Sequence, residues 1–336
     1  MSGVVTLTPA PVLDRTYLVA SMAPGKVNRA VEVHEYMSGK GLNVARTLHL
    51  ARTPVAAVMP IGRDDEHLLF RTPYPHILRI MPIQGRIRVN TAIVEDGGRT
   101  TNVNQSAIPM STTDWERVVD LTIEQIVDMD ADWVCVSGTH PFNSDTGDYV
   151  EMTDLFERAR EAGARVALDT SGVPLERLVT SGLVNLIKPN ADELANLVGR
   201  NLITVGEALE AGRELNAQGI EVALVSLGAD GALAISEAGS VWGAAVAPQL
   251  VNTTGAGDAT LAGFLGHSIK EETRGAEGGA QLDLEAGLTT AVSWGALAVS
   301  LPTTLISGLE NAPVPSVGTP DPERILVEAT HLTTKK

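Results

Sequence analysis

The sequence is poor in cysteine, in basic residues and in long apolar runs, and each shortage excludes a class of protein. Cys135 is the single cysteine of the 336 residues, so an internal disulfide cannot form, and its apolar setting in DWVCVSG indicates a small core residue in a reducing compartment. Lysine and arginine number 25 against 41 acidic residues, which argues against the broad basic face of a nucleic-acid-binding protein. No stretch reaches the roughly 18 apolar residues of a membrane span, and the N-terminus lacks a secretory signal pattern. We therefore expect a cytoplasmic protein with neither nucleic-acid nor membrane partners.

The remaining composition is that of a folded domain, with 44% hydrophobic and 20% charged residues. Short β-branched runs alternate with longer amphipathic segments. This alternation predicts an α/β fold, in which a mostly parallel central sheet is flanked by helices on both faces. The predicted strands are VVTLT, VAAVM, WVCVSG, ARVALD, VNLIK and VALVSLG, and the predicted helices cover residues 113–129, 149–162, 191–198 and 205–218.

Four further strand-like segments interrupt this order, at 16–20, 29–34, 86–95 and 101–105, and the last two flank the turn sequence DGGR. They predict a small antiparallel sheet at the mouth of the core, which would act as a lid formed by segments of about 15–36 and 85–106. Near the C-terminus, EETRGAEGGAQLD predicts a glycine-rich surface loop and NAPVPSVGTPDPER an irregular crossing segment. We expect one domain over residues 1–336.

The segment NTTGAGDATLAGF carries the clearest chemical signal. Gly255 and Gly257 allow backbone amides to approach an anion, and the helix that follows directs its positive end to the same place. Asp258 alone could simply stabilise the first helical turn. Thr260 stands where a dinucleotide fingerprint requires its third glycine, and no P-loop sequence occurs. Neither a Rossmann dehydrogenase nor a P-loop enzyme is supported.

A second segment, SGKGLNVARTLHLA, places Gly39, Lys40 and Gly41 just before Asn43 at the start of a predicted helix. The segment could be an ordinary turn and helix start. Paired glycines beside a lysine and an asparagine also suit a polyhydroxylated ligand, which needs several close donors and acceptors.

Together the two segments resemble the two signatures of the PfkB, or ribokinase-like, carbohydrate kinases. The resemblance covers nearly the whole chain, because TLTPAPVLDRTY, GKVNRA, IRVNTAIVEDGGRTTNVNQ, LDTSG, LIKPNADEL and VSLGADGAL follow in the family's order. These intermediate segments are most similar to the branch that phosphorylates sugar phosphates, which includes 1-phosphofructokinase, tagatose-6-phosphate kinase and the minor 6-phosphofructokinase.

The resemblance implies that Asp258 is the catalytic base and that Gly255, Ala256 and Gly257 form an anion hole for the transferring phosphoryl group. This agrees with the chemistry, since phosphoryl transfer depends on positioning and charge stabilisation more than on a strong base. An aspartate with an ordinary pKa of about 3.9 is ionised at neutral pH and can accept a hydroxyl proton.

On the acceptor side, the resemblance implies that Arg88 and Lys26 meet a phosphate of the acceptor or of the nucleotide. The alternative is that these two are solvated charges of the lid strands. The resemblance assigns the sugar itself to Asp14, Gly39, Lys40, Gly41, Asn43, Asn90, Ser137 and Asp258.

On the donor side, the resemblance implies ATP bound by Lys188, Asn190, Ser226, Gly228 and Gly231, together with Gly255 and Gly257. It also implies Mg²⁺ held by Asn190 and Glu193, directly or through water. The alternatives are a capping box for Asn190 and Glu193 and a plain β-turn in VSLGADGAL.

Departures from the family pattern lie on the acceptor side. Ser38 replaces the first glycine of the usual G-G-K-G, and Thr139 and His140 stand where a loop passes the acceptor phosphate. His140 could contact that phosphate, or it could be a solvated loop residue.

The expected activity is ATP- and Mg²⁺-dependent phosphoryl transfer to a hydroxyl of a ketohexose phosphate. Fructose 1-phosphate, giving fructose 1,6-bisphosphate, is the first candidate, followed by tagatose 6-phosphate and fructose 6-phosphate. The alternatives are a kinase for an unphosphorylated sugar or nucleoside, and a non-catalytic sugar-binding protein. A homodimer formed through the lid is also compatible with the resemblance.

Overall fold

The computed structural model describes residues 2–272, 282–301 and 303–332. Most of the segment predicted as a glycine-rich loop, residues 273–281, therefore lies outside the described residues. The strands are β1 (Val4–Leu7), β2 (Val12–Val19), β3 (Glu32–Ser38), β4 (Val55–Gly62), β5 (Leu78–Ile83), β6 (Arg88–Glu95), β7 (Thr100–Asn104), β8 (Trp133–Ser137), β9 (Arg165–Asp169), β10 (Leu186–Ile187), β11 (Val222–Ser226), β12 (Ala232–Ser236), β13 (Gly239–Ala244) and β14 (Ser316–Gly318). The α-helices are α1 (Lys40–Leu50), α2 (Thr112–Met129), α3 (Thr153–Glu161), α4 (Gly172–Val179), α5 (Ala191–Val198), α6 (Val205–Ala217), α7 (Ala256–Glu272) and α8 (Leu284–Val299), and 3₁₀ helices cover Arg63–Arg71, Pro75–Ile77 and Gly228–Asp230.

The main sheet has ten strands in the order β14-β13-β12-β11-β10-β9-β8-β1-β4-β5. Strands β11 to β5 of this order are parallel, and β12, β13 and β14 extend one edge in antiparallel fashion. Every residue of β8 is buried, as expected for a strand with helices on both faces. The predicted α/β architecture is confirmed.

Two apolar clusters fill the space between this sheet and its helices. Val5 and Leu7 of β1 face one cluster, to which α2, α3, α5 and α6 contribute. Val4 faces the other, which contains residues of α1, α7 and α8. Alternation along a single strand thus supplies both layers of the core. None of the helices in the described part of the chain is both long and apolar enough to cross a membrane.

The predicted small sheet is also present, in the order β3-β2-β6-β7, and we call it the lid sheet. Its outer pairs, β2 with β3 and β6 with β7, are antiparallel as expected. The central pair, β2 with β6, is parallel, which the prediction of a wholly antiparallel sheet did not include. The reason is topological: β2 follows β1 and β6 follows β5, and these two core strands point the same way in the main sheet.

Beyond the lid, β14 lies within the C-terminal segment that was predicted to be irregular, where it pairs with β13. A strand of three residues is too short to be predicted from local sequence. The pairing with β13 stabilises the extended conformation of these residues.

The first turn of helix α1 packs closely against the end of strand β1, because Gly41 has no side chain to keep the two backbones apart. A Cβ atom at Gly41 would lie 2.8 Å from the carbonyl oxygen of Leu7. The amino ends of α1 and α7 therefore meet at the carboxyl edge of the parallel strands, where ligands bind in open α/β sheets.

Candidate active site

Asp258 lies in the first turn of α7 and is only 6% exposed. The Nδ2 atom of Asn43, on α1, donates a hydrogen bond of 2.9 Å to its Oδ2. Burial raises the pKa of Asp258 to about 6, and the nearby Asp169 adds to this rise against the opposing charge of Lys40. A carboxylate with a pKa close to the working pH is well suited to general base catalysis.

Three neighbouring parallel strands bring the next side chains together. Ser137 ends β8, Asp169 ends β9 and Lys188 follows β10, so their side chains lie along one edge of the sheet. The Asp169 carboxylate accepts hydrogen bonds from Ser137 Oγ at 3.3 Å and from Lys40 Nζ at 3.1 Å. Lys188 Nζ lies 3.6 Å from its other side, at Oδ2.

Burial alone would raise the pKa of Asp169, but the ammonium groups of Lys188 and Lys40 outweigh it and keep this pKa below its usual range. The same interaction with Asp169 raises the pKa of Lys40. Two cations thus share one carboxylate beside Asp258. Their ammonium groups can offset the negative charge of an anionic group such as a phosphoryl group.

The predicted anion hole lies where α7 begins. Gly255 has a φ of 87°, a conformation that favours glycine. A Cβ atom at Gly257 would lie 2.9 Å from Lys188 Nζ, so the ammonium group sits directly beside the first turn of α7. The first amides of a helix have no intrahelical acceptor, and together with Lys188 they form a site for negative charge.

Asp14 occupies the middle of the lid sheet on the acceptor side. Its partners across the sheet are Asn90 on β6 and Tyr36 on β3. Burial raises the pKa of Asp14, and hydrogen bonds from Ser38 and Asn90 oppose that rise. Polar side chains of both neighbouring strands thus influence this carboxylate.

Several buried polar atoms around Asp14 and Asp258 have no hydrogen-bond partner among the described residues. They are Nε of Arg88, Oδ1 of Asn90 and Oδ1 of Asn43. One nitrogen of the Arg88 guanidinium is anchored, because Nη2 donates to the carbonyl oxygen of Ala10 at 3.1 Å. Buried polar atoms are nearly always satisfied in native proteins, so these atoms are suited to receive a ligand.

Of the predicted acceptor residues, Gly39 is packed against the core, whereas Lys26 lies in an exposed loop. Gly39 joins β3 to α1 with a φ of 146°, and a Cβ atom there would lie 2.5 Å from Thr8 Cγ2. Lys26 lies in the exposed loop of residues 20–31, outside the cluster around Asp14. Its predicted contact with a phosphate stays a prediction.

On the donor side, the capping box predicted as an alternative is present. Asn190 Oδ1 accepts from the Glu193 amide at 2.8 Å, and Glu193 Oε2 accepts from the Asn190 amide at 2.9 Å. Glu193 is also close enough to Lys40 to raise the pKa of that lysine. Among the described residues, no cluster of three His, Cys, Asp or Glu side chains could hold a metal ion by itself.

The glycines of VSLGADGAL have structural roles of their own. A Cβ atom at Gly231 would lie 2.2 Å from the carbonyl oxygen of Gly243, which the β12 and β13 pairing cannot accommodate. Gly228 adopts a φ of 59° in the turn before β12. The Ser226 amide donates to the carbonyl oxygen of Pro189 at 3.0 Å, which places this turn beside the capping box. ATP binding by these residues stays a prediction.

Comparison with known proteins now decides the family. Residues 10–311 match the pfkB family of carbohydrate kinases. The chain belongs to this family. The 1-phosphofructokinase of Rhodobacter capsulatus is 32% identical over 299 residues, which cover 88% of this chain and 90% of that protein. The 1-phosphofructokinase of Escherichia coli K12 is 30% identical over 268 residues, covering 78% of this chain and 83% of that protein.

Solved structures agree with the fold of this pfkB kinase. The crystal structure of phosphofructokinase-2 from Escherichia coli in complex with potassium superposes with a TM-score of 0.78. The superposition covers 93% of this chain and 97% of the Escherichia coli chain, at 24% sequence identity. The ribokinase-like architecture with a separate lid sheet is confirmed.

Within this pfkB kinase, Asp169 is the site residue that the sequence analysis did not single out. A signal was available, because an aspartate directly ends the buried run ARVALD. However, its role depends on the order of strands in the sheet, which places Ser137 and Lys188 on either side of it.

The solvated interpretation of His140 is wrong. The residue is 3% exposed, and burial lowers the pKa of its imidazole to about 4. A neutral, buried imidazole cannot supply a positive charge to a phosphate. The neighbouring Thr139 is exposed.

Proposed function

We propose that the protein transfers the γ-phosphoryl group of ATP to a hydroxyl of a ketohexose phosphate, with fructose 1-phosphate as the first candidate. The observation that carries the proposal is the buried Asp258 beside the cluster of Lys40, Asp169 and Lys188 at the start of α7. The relatives named 1-phosphofructokinase, at 32% and 30% identity, support the choice of acceptor.

In this mechanism, Asp14, Asn43 and Asn90 orient the sugar so that one hydroxyl faces Asp258. The Asp258 carboxylate takes the hydroxyl proton while the oxygen bonds to the γ-phosphorus, and the bond from that phosphorus to the oxygen shared with ADP breaks. Lys188 and the first amides of α7 offset the negative charge on the transferring group. Lys40 contributes the second positive charge from the acceptor side of Asp169.

The phosphate already on the acceptor requires a cation of its own. Arg88 is proposed for this contact, because its Nε is buried and without a partner among the described residues. Arginine is suited to bidentate phosphate recognition. Lys26, on its exposed loop, would add a second charge when the lid sheet closes over the acceptor.

The donor side is proposed to bind ATP through Ser226, Gly228 and Lys188, with Mg²⁺ near Asn190 and Glu193. The oxygen donors of these two residues fit a hard cation, and the small number of carboxylates fits Mg²⁺, which keeps much of its water shell. When bound, Mg²⁺ would neutralise charge on the nucleotide phosphates. Asn190 and Glu193 would hold it directly or through water.

We also propose that the chain forms a single domain and that the protein works in the cytoplasm. We further propose a homodimer formed through the lid sheet. Val33 on β3 and Val103 on β7 leave exposed apolar surface on this sheet, at 47% and 61%. Analytical ultracentrifugation of Val103→Glu should show monomers. Val127→Glu on α2 is a matched control, because Val127 is equally exposed, at 61%. A monomeric wild type would refute the dimer.

The function is tested by a panel of acceptors with ATP and Mg²⁺, with ADP release followed in a coupled assay. The panel comprises fructose 1-phosphate, tagatose 6-phosphate, fructose 6-phosphate, fructose, ribose and adenosine. Turnover of a ketohexose phosphate is expected. Turnover of only the neutral compounds would refute the sugar-phosphate assignment, and binding without any turnover would identify a sugar-binding protein.

A further inference from the structure

We propose that Arg324 is a positioning residue for ATP, because it holds the carboxylate of Asp230 and thereby fixes the turn that leads from β11 to β12. The inference rests on the proposed function, in which Ser226 and Gly228 of this turn bind ATP. Arg324 belongs to residues 321–332, which contain none of the predicted site residues.

Both oxygens of the Asp230 carboxylate are bonded to the segment of residues 321–332. Asp230 is the last residue of the 3₁₀ turn Gly228–Asp230 and is only 1% exposed. Its Oδ1 accepts from Nε and Nη2 of Arg324, at 3.1 and 2.7 Å, and its Oδ2 accepts from the Val327 amide at 2.6 Å. Because a buried carboxylate needs such partners, the position of the turn is tied to this segment.

Trp242 of β13 adds a contact to the backbone of the same turn. Its Nε1 donates to the carbonyl oxygen of Asp230 at 2.8 Å. The guanidinium carbon of Arg324 lies 5.3 Å from the centre of the indole ring, within the range of a cation–π interaction. Arg324, Asp230 and Trp242 therefore form one connected group at the turn.

The backbone that carries Arg324 is itself anchored to the body of the protein. The Val205 amide, at the start of α6, donates to the carbonyl oxygen of Arg324 at 2.9 Å, and the Leu326 amide donates to that of Ile203 at 2.8 Å. The Leu326 side chain belongs to a core cluster and is 5% exposed. Arg324 thus extends from a fixed support, as positioning another group requires.

The same segment also contacts the part of the donor side that is proposed to hold Mg²⁺. The His331 amide donates to Oδ1 of Asp192 at 3.1 Å, and Asp192 precedes Glu193 in the first turn of α5. The turn and the start of α5 are joined directly as well, by a parallel β-bridge between Asn190 and Ser226. Residues 321–332 therefore support both elements of the proposed donor site, and their influence should concern ATP more than the sugar.

Loss of the restraint should weaken nucleotide binding through the conformation of the turn. Gly228 and Gly231 have φ values of 59° and 89°, and glycines have wide conformational freedom when nothing holds them. ATP binds only the competent conformation, so its apparent affinity falls in proportion to the fraction of molecules in that conformation. A turn that is competent about a tenth of the time would bind ATP about tenfold more weakly.

The kinetic test compares Arg324→Gln and Arg324→Lys with the wild type, using the acceptor that the panel identifies. Arg324→Gln should raise the KM for ATP about tenfold and leave the KM for the acceptor unchanged. Arg324→Lys keeps the charge but not the two-pronged geometry, so it should recover part of the loss. An unchanged KM for ATP in Arg324→Gln would overturn the proposal, and so would an equal rise in both KM values.

Arg200→Gln is the matched control. Arg200 also pairs with a carboxylate through two hydrogen bonds, to Oε2 and Oε1 of Glu214 at 3.1 and 2.6 Å. Its side chain is 39% exposed, against 40% for Arg324. Because this pair joins the end of α5 to α6 and does not contact the turn, its loss should change neither KM.

A second measurement does not need turnover. Calorimetry gives the dissociation constant of ATP with Mg²⁺ for the full chain without an acceptor, and Arg324→Gln should raise it about tenfold. Trp242→Phe removes the Nε1 donor and leaves the ion pair of Asp230 intact, and it should raise this constant as well. If Arg324→Gln does not fold, because it leaves a buried carboxylate unpaired, then Arg324→Lys and Trp242→Phe decide the question.

Failure of the inference and failure of the proposed function give different results. A wild type that binds ATP but phosphorylates no acceptor would refute the proposed function, and the dissociation constants would still show whether Arg324 positions the turn. Variants at positions 324 and 242 that bind ATP as tightly as an active wild type would overturn the inference alone.

Discussion

The side chains of Asn43 and Asp258, separated by 215 positions in the sequence, are joined by a hydrogen bond of 2.9 Å between Nδ2 and Oδ2. This bond connects α1, which belongs to the acceptor side, with α7, which carries the anion hole. The Oδ1 atom of Asn43 has no partner among the described residues and stays available to a sugar hydroxyl. A single amide therefore orients the base and can also hold the group that the base deprotonates.

Replacing the base should separate binding from chemistry. Asp258→Asn keeps the shape of the side chain and an oxygen that can accept from Asn43, but it cannot take a proton. We expect turnover to fall by about 10² to 10⁴-fold, the usual contribution of a general base. Calorimetry should still detect ATP and acceptor binding. Turnover close to the wild-type rate would contradict the assignment of Asp258.

Asp258→Asn should not destabilise the fold. Because the pKa of Asp258 is raised from 3.8 to about 6, ionisation of this buried carboxyl opposes folding at pH values above that range. The neutral amide avoids this cost at pH 7.5. A melting temperature at or above that of the wild type would show that lost turnover is not lost folding.

The pH dependence of kcat/KM should change when the negative charge of Asp169 is removed. Protonated Asp258 cannot accept a proton, so kcat/KM should fall as the pH drops through about 6. Asp169→Asn removes a nearby negative charge that raises this pKa and frees Lys40 and Lys188 to lower it. The acid limb should therefore move to lower pH, although the rate itself decreases.

The acceptor phosphate is expected to titrate in the same range, at about pH 6, so the wild-type profile alone cannot identify the group. The shift between wild type and Asp169→Asn isolates the contribution of the enzyme. Superimposable acid limbs would rule out an influence of Asp169 on the base.

The amino end of α7 should tolerate no side chain at position 257. The Cβ atom of Gly257→Ala would lie 2.9 Å from Lys188 Nζ, and the flexible lysine would move away. We expect a decrease in kcat of about 10 to 100-fold, as for a misplacement of about 1 Å, with little change in folding. Gly266→Ala in the same helix is the matched control, since its Cβ atom would meet the Leu48 side chain at 3.1 Å and not a charged group. Equal kinetics for the two variants would contradict the role of Lys188.

Elements with strong local signals were predictable from the sequence. Helix α5 spans Ala191–Val198 as predicted, because Asn190 caps its start and Gly199, with a φ of 70°, ends it. The buried runs WVCVSG and ARVALD form β8 and β9, as their continuous β-branched and apolar residues predict.

Relationships that depend on topology were not predictable in this way. Lys40 and Asp169 are 129 positions apart, and no local pattern shows that their side chains meet. The parallel pairing of β2 with β6 likewise follows from the order of the main sheet. His140 is polar and follows a strand, yet tertiary packing buries it.

The two possible roles of Glu193 can be separated with one substitution. Glutamine maintains a capping box, so Glu193→Gln should leave the free energy of unfolding within about 0.5 kcal/mol of the wild type. It removes the negative charge that would attract Mg²⁺, so the Mg²⁺ concentration for half-maximal activity should rise about tenfold. The rise would be measured by titrating Mg²⁺ at fixed ATP.

Helix α6 offers the matched control, because Thr204 and Glu207 form a second capping box of the same kind. Glu207 Oε2 accepts from the Thr204 amide at 3.1 Å, and Thr204 Oγ1 accepts from the Glu207 amide at 3.2 Å. Glu207→Gln should therefore alter neither stability nor the Mg²⁺ requirement. If Glu193→Gln behaves in the same way as Glu207→Gln, the carboxylate of Glu193 serves only to cap α5 and the proposed metal site must be abandoned.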